Sequence, residues 1–343
     1  MRSFRWAALP LVALAVMATL PACGSDDKPG DKRLTVYSGR MEALVKPILD
    51  QFQQATGIDV AVRYGDSAAM AAQLLEEGQL SPADAFLSQD AGALGAVANK
   101  GRFAILPADV LGRVPPAYRA RNGQWVGVTG RSRVLVYNVN LVPEADLPKS
   151  VFELTGPKWK GKVGIAPTNA SFQTFVTALR LKHGEERART FLTDLKANGA
   201  QIRANNVNIV TDVNDGKLAA GLVNHYYLYG RAKELGTTID ALAARHHYFP
   251  DGDIGALVNV SGVGVLTKAG TDPDARAFVD FLLGSTAQAY FANQTFEYPL
   301  VPGVDATAQG LPQLSTLEAP DIDLNDLDTL QTTVQMIKEV GLA

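Results

Sequence analysis

The chain has 343 residues, 47% of them hydrophobic and 20% charged, with 32 Lys plus Arg against 35 Asp plus Glu and one cysteine. That much apolar material at this length supports more than one core. A formal charge of −3 provides no general basic balance for nucleic acid, and a lone cysteine forms no internal disulfide.

Met1-Arg2-Ser3-Phe4-Arg5 opens the chain with positive charge, an apolar run extends from Trp6 to Leu20, and Pro21-Ala22-Cys23 follows. This is the order of an export signal, and the run is too short and wrongly flanked for a membrane span. Cys23 stands where the lipobox of bacterial lipoproteins, which this terminus resembles, places the acylated residue. Residues 1–22 are therefore expected to be a leader, with Cys23 lipidated and 23–33 a polar tether. The remaining length of about 320 residues predicts two domains.

Leu34 to Tyr37 reads as a strand, and Leu44, Val45, Ile48, Leu49 and Phe52 recur at helical spacing until Gly57. Val60–Tyr64 and Ala83–Leu87 continue as strands around a helix at Ala69–Glu77, an alternation that predicts parallel sheet flanked by helices. Gln124–Asn138 and Ile254–Leu266 are long β-rich segments suited to crossing between lobes. Helical patterns occupy Ser171–Asn198, Leu228–Leu235, Pro273–Asn293 and Leu324–Val340.

Within Val223-Asn224-His225-Tyr226-Tyr227 two phenols are adjacent. A phenol with pKa near ~10 becomes an anionic ligand at neutral pH only when a strong cation displaces its proton, and a hard ferric ion prefers such oxygen donors to thiolate. Neighbours in a helix point about 100° apart, so the pair converges on one ion only at a strand end or a first helical turn. Strand-like Ala219–Val223, Asn224 as a cap and a helix from Leu228 would supply that setting.

Val36-Tyr37-Ser38-Gly39-Arg40, Ser81-Pro82-Ala83-Asp84-Ala85-Phe86, Gly130-Arg131-Ser132-Arg133-Val134-Leu135-Val136-Tyr137, Pro157-Lys158-Trp159-Lys160-Gly161, Asn224-His225-Tyr226-Tyr227 and Glu297-Tyr298-Pro299-Leu300, in this order, resemble the ferric-iron-binding proteins of bacterial ABC importers. The resemblance implies an α/β, type II periplasmic-binding-protein fold with two lobes joined by crossing strands. It places 34–131 plus 257–305 in one lobe and 132–256 plus 306–343 in the other. It also implies Tyr226, Tyr227 and Tyr137 as ferric ligands, and Arg131 as the holder of a synergistic carbonate or bicarbonate. Arg40 would assist, and Glu42 is a further candidate oxygen donor. Family members that hold phosphate instead use small polar residues, matched here by Asn169, Ser171, Asn206 and Asn224; capping is the simpler role for Ser171 and turn formation for Asn169. The chain departs from the best-known pattern at Met41 and Gln89, which replace a histidine and a glutamate.

The expected partners are an ABC permease with a separate ATPase, and the membrane through the lipid on Cys23; the protein is expected to be a monomer that binds no nucleic acid. The sequence holds no nucleophile elbow, Walker loop or dinucleotide fingerprint, so an extracellular cleft enzyme is a remote alternative. A same-fold binder of thiamine, an organophosphonate or another anionic solute is the nearer one.

Overall fold

The computed structural model describes residues 32–304 and 310–343. The expected leader, Cys23 and the tether as far as residue 31 lie outside the described residues. Strand β1 (Arg33–Ser38) leads into helix α1 (Glu42–Thr56). Val45, Ile48, Leu49 and Phe52 are buried along one stripe of α1, and Gly57 closes it in the left-handed conformation, φ 70°. Strand β2 (Asp59–Tyr64), α2 (Ser67–Glu77), β3 (Ala85–Ser88) and α3 (Ala91–Ala98) continue the alternation. The one-turn α4 (Ala108–Leu111) precedes the long β4 (Val126–Asn138), and β5 (Val163–Ile165), α5 (Ala170–His183), α6 (Glu185–Ala197), β6 (Gln201–Ile202) and α7 (Asn206–Asn214) follow. The chain continues through β7 (Ala220–Asn224), α8 (Tyr226–Glu234), β8 (Ala244–His247), β9 (Val258–Val265), α9 (Pro273–Leu282), α10 (Ser285–Gln294), β10 (Tyr298–Pro299) and α11 (Leu330–Val340).

The strand order is β2-β1-β3-β9-β4-β7-β5-β6, with β10 and β8 also paired to β4. β4 belongs to two sets of ladders. Its first half pairs with β9, from Val126 opposite Val263 to Ser132 opposite Val258; its second half pairs with β7, from Arg133 opposite Asn224 to Tyr137 opposite Ala220. The chain returns from the second set to the first between β8 and β9. Outer pairs such as β1–β2 and β5–β7 are parallel, whereas every pair made by β4 is antiparallel. The sheet is therefore mixed rather than parallel throughout.

All thirteen positions of β4 are buried, so both of its faces meet core. Leu135 and Tyr137 join the cluster containing Trp159 and Phe175, while Val134 and Val136 join the one containing Tyr226 and Tyr227. The helical pattern over 171–198 is two helices split at Gly184, φ 88°. That over 273–293 splits at Leu283-Gly284, and the terminal helix begins at Leu330, after a short 3-10 turn at Leu324–Asp326. Among the described residues no helix is long and apolar enough to cross a membrane.

Candidate functional site

The tyrosine pair occupies the first two positions of α8. Asn224 ends β7 instead of capping the helix, and His225 takes the N-cap position without a side-chain cap bond. The fully buried His225 ring is fixed from both ends: its Nδ1 accepts from the Ser132 N–H (3.1 Å), and its Nε2–H donates to the Phe296 carbonyl (2.8 Å). Burial pushes the imidazole down to about 4, so it is neutral and keeps this pairing at pH 7. With the turn so anchored, the Tyr226 and Tyr227 rings lie 4.2 Å apart between centroids and 30° from parallel, only 3% and 8% exposed.

Burial and the neighbouring Tyr227 phenol raise the Tyr226 pKa well above its ordinary value, while Arg40 and Arg131 oppose the shift. In the metal-free protein this phenol keeps its proton, and only a strong cation exchanges with it. Arg40 follows Gly39, where a Cβ would stand 2.0 Å from Ser67 Oγ; the missing side chain lets this loop press onto α2. Arg40 is 2% exposed and pairs with the fully buried Glu297 at 2.6 Å. Burial works against its charge, but Glu297, Tyr226 and Tyr227 together raise its pKa. Arg131, 1% exposed, donates from Nη2 to the Val260 carbonyl (3.3 Å), leaving Nε and Nη1 without protein partners. Nη1 of Arg40 is likewise unpartnered. Buried N–H donors on cations without acceptors suit an incoming anion.

Asn169 caps α5, accepting from the Ser171 N–H (3.0 Å), so the expected roles of these residues are exchanged: Ser171 is not the cap. Ser171 Oγ donates to Asn169 Oδ1 (2.7 Å) and accepts from Asn206 Nδ2 (3.1 Å). Arg133 joins this set to the tyrosines. It stands opposite Asn224 across the β4–β7 ladder, donates to the Ser171 and Leu222 carbonyls (3.1 and 3.3 Å), and feels the Tyr227 phenol. Burial lowers its guanidinium to about 9, still cationic at neutral pH.

The fold thus brings Tyr226 and Tyr227 together with Arg40, Arg131, Ser171, Asn206 and Asn224. It leaves Tyr137 apart from this group, and Glu42 exposed between Met41 and Ala43, which line one cavity with the tyrosines. Tyr137 is four residues beyond Arg133, about 13 Å along the strand, and packs in the other core cluster; its pKa is raised by burial and Glu144 and opposed by Arg245, partners that the pair does not share. Glu42 is exposed in the first turn of α1, where its charge acts on Tyr64. Met41 is 44% exposed, and Gln89, 7% exposed, donates its backbone N–H to Ser67 Oγ (2.8 Å). Among the described residues no group of three or more His, Cys, Asp or Glu is arranged to hold a metal.

Sequence reasoning assigned no role to Glu297, Arg133 or Asp90. Asp90 is fully buried at the cap of α3, where Oδ1 accepts from the Ala93 N–H (2.9 Å); burial raises its carboxyl pKa against that bond and the Arg131 charge. The signal available was charge inside strand-like apolar stretches, at Arg133 and Glu297.

The model of the bacterial extracellular solute-binding protein family matches residues 81–326. The chain belongs to that family. Within it, the Fe(3+)-binding periplasmic protein of Serratia marcescens is 34% identical over 339 residues, covering 98% of this chain and 99% of its own length. The major ferric iron-binding protein of Neisseria meningitidis is 33% identical, covering 97% of each chain. The crystal structure of iron-bound HitA from Pseudomonas aeruginosa superposes with a TM-score of 0.85 at 37% identity, over 90% of this chain and 99% of that one. This solute-binding protein shares the type II periplasmic-binding-protein fold of its ferric-binding neighbours, as the order of sequence motifs led us to expect.

Proposed function

We propose that this protein captures ferric iron outside the cytoplasm through the Tyr226 and Tyr227 phenolates and delivers it to an ABC importer, held at the membrane by lipid on Cys23. The observation that carries this reading is the buried, stacked tyrosine pair at the first turn of α8, flanked by arginines with unpartnered N–H groups. The names of the Serratia and Neisseria relatives support it. Residues 34–131 with 257–305 act as one lobe and 132–256 with 306–343 as the other, closing over the ion. Arg131 and Arg40 offset the phenolate charge and seat a carbonate, bicarbonate or phosphate, with Ser171, Asn206 and Asn224 on the second lobe.

The unpartnered arginine donors also favour a second reading, an iron-free anionic solute. Titration of leader-free, metal-stripped protein with ferric citrate, with and without bicarbonate, separates the two. A saturable one-to-one phenolate charge-transfer band, lost in Tyr226→Phe/Tyr227→Phe, is expected. Folded protein with neither band nor retained iron would leave the anionic solute as the better reading.

A further inference from the structure

Gly230 sits in the middle of α8, where a glycine costs roughly 1 kcal/mol relative to alanine. Nothing in its surroundings requires it: a Cβ built there meets no atom within 4 Å, and its φ is not in the left-handed region. What the missing side chain leaves is space. Gly230 lines an open cavity of about 290 Å³ that has both tyrosines in its wall with Met41, Leu44, Val207, Val210 and Phe296, and Lys233 and Glu234 also line it. Phe296, a bulky residue at φ 59°, is held in that unfavourable conformation while its carbonyl takes the His225 N–H. Arg231, whose Nε is buried without a partner, also lines the cavity.

Resting on the ferric reading above, we propose that this cavity holds the ring of a small aromatic iron chelator with two adjacent oxygen donors, a catecholate, that enters with the ion. A ferric ion takes roughly six donors. Two phenolates and a bidentate anion at Arg131 leave two places: Tyr137 packs in the other core cluster, and Glu42, exposed between the lining residues Met41 and Ala43, is not itself in the cavity wall. Carbonate or phosphate has no use for apolar walls, whereas a flat ring gains from Met41 sulfur and Phe296. The volume sits at the small end of organic ligand sites, about 300–1,000 Å³, enough for one ring but not for a three-armed chelator. Capture exchanges four Fe–water bonds of the one-to-one ferric catecholate for two Fe–phenolate bonds and two bonds to the anion at Arg131, releases two phenol protons to solvent and leaves the oxidation state unchanged.

The test compares the leader-free wild type with Gly230→Leu, which fills the cavity, and Val207→Phe, which crowds its exposed rim. Each is loaded with one-to-one ferric catecholate or with ferric citrate, and iron and catechol retention are read by native mass spectrometry and visible absorption. Wild type is expected to retain one iron and one catechol. Both variants should take iron from citrate as wild type does but bind ferric catecholate at least tenfold more weakly, and Gly230→Leu should melt no lower than wild type. Wild type that keeps iron and sheds catechol, or a Gly230→Leu protein, folded by circular dichroism, that binds ferric catecholate as tightly as wild type, would overturn the pocket and leave the ferric reading intact. Wild type that retains iron from neither source would overturn both.

Discussion

Replacing Glu297 by alanine should be among the most damaging single changes to this protein. Its carboxylate and the Arg40 guanidinium lie 2.6 Å apart with side chains 0% and 1% exposed, and the same oxygen accepts from Thr295 Oγ1 (2.9 Å). Truncation leaves the arginine buried without its counter-charge, and that costs about 3–5 kcal/mol. Removing both charges is a different perturbation: Arg40→Met/Glu297→Met keeps apolar volume and should fall within about 1 kcal/mol of wild type or above it. Urea unfolding of leader-free, metal-free protein at pH 7 measures all three, with an unchanged m-value confirming that stability alone has moved. A Glu297→Ala protein within about 1 kcal/mol of wild type would refute the claim that this pair is desolvated and that its geometry, not surrounding water, sustains the Arg40 charge.

Acid should weaken the fold through His225, whose imidazole falls to about 4 in the folded state from an ordinary ~6.5. The unfolded chain takes up this proton first, so the contribution is complete above about pH 6.5 and lost as pH falls through 4, about 3 kcal/mol in all. Parallel pH profiles for wild type and His225→Gln over that window would contradict it. Gly221→Ala would set a Cβ 2.2 Å from Ile209 Cγ2 and should cost about 1–3 kcal/mol; Ile209→Ala, which removes that methyl, should make the double change cheaper than the sum of the singles. Ferric loading of the wild type in weak buffer should release about two protons per ion, measured by pH-stat, and Tyr226→Phe/Tyr227→Phe should release none.

The first half of the fold was readable because short β-type runs and the stripe Val45, Ile48, Leu49, Phe52 are local patterns. Gly57 as a helix stop is equally local. β5 and β6, of three and two residues, are too short to show a period. The tyrosine pair was visible as chemistry, but its convergence depends on His225 gripping Ser132 and Phe296, which are remote in the chain. Likewise Arg40 and Glu297 are separated by 257 positions, so no window of sequence connects them. The exchange of roles between Asn169 and Ser171 has a smaller cause: both side chains can cap, and only the position of the first helical turn decides which one does.

One property of β4 bears on how an anion would be released. Arg131 and Arg133 are two residues apart, about 7 Å along the strand, yet each is tied to a different neighbour: Arg131 to Val260 in β9, Arg133 to Leu222 in β7. Each guanidinium therefore travels with its own ladder. A bend of β4 at Ser132 would spread the two positive charges and dilute the field between them, so an anion seated there would respond to the curvature of a single strand.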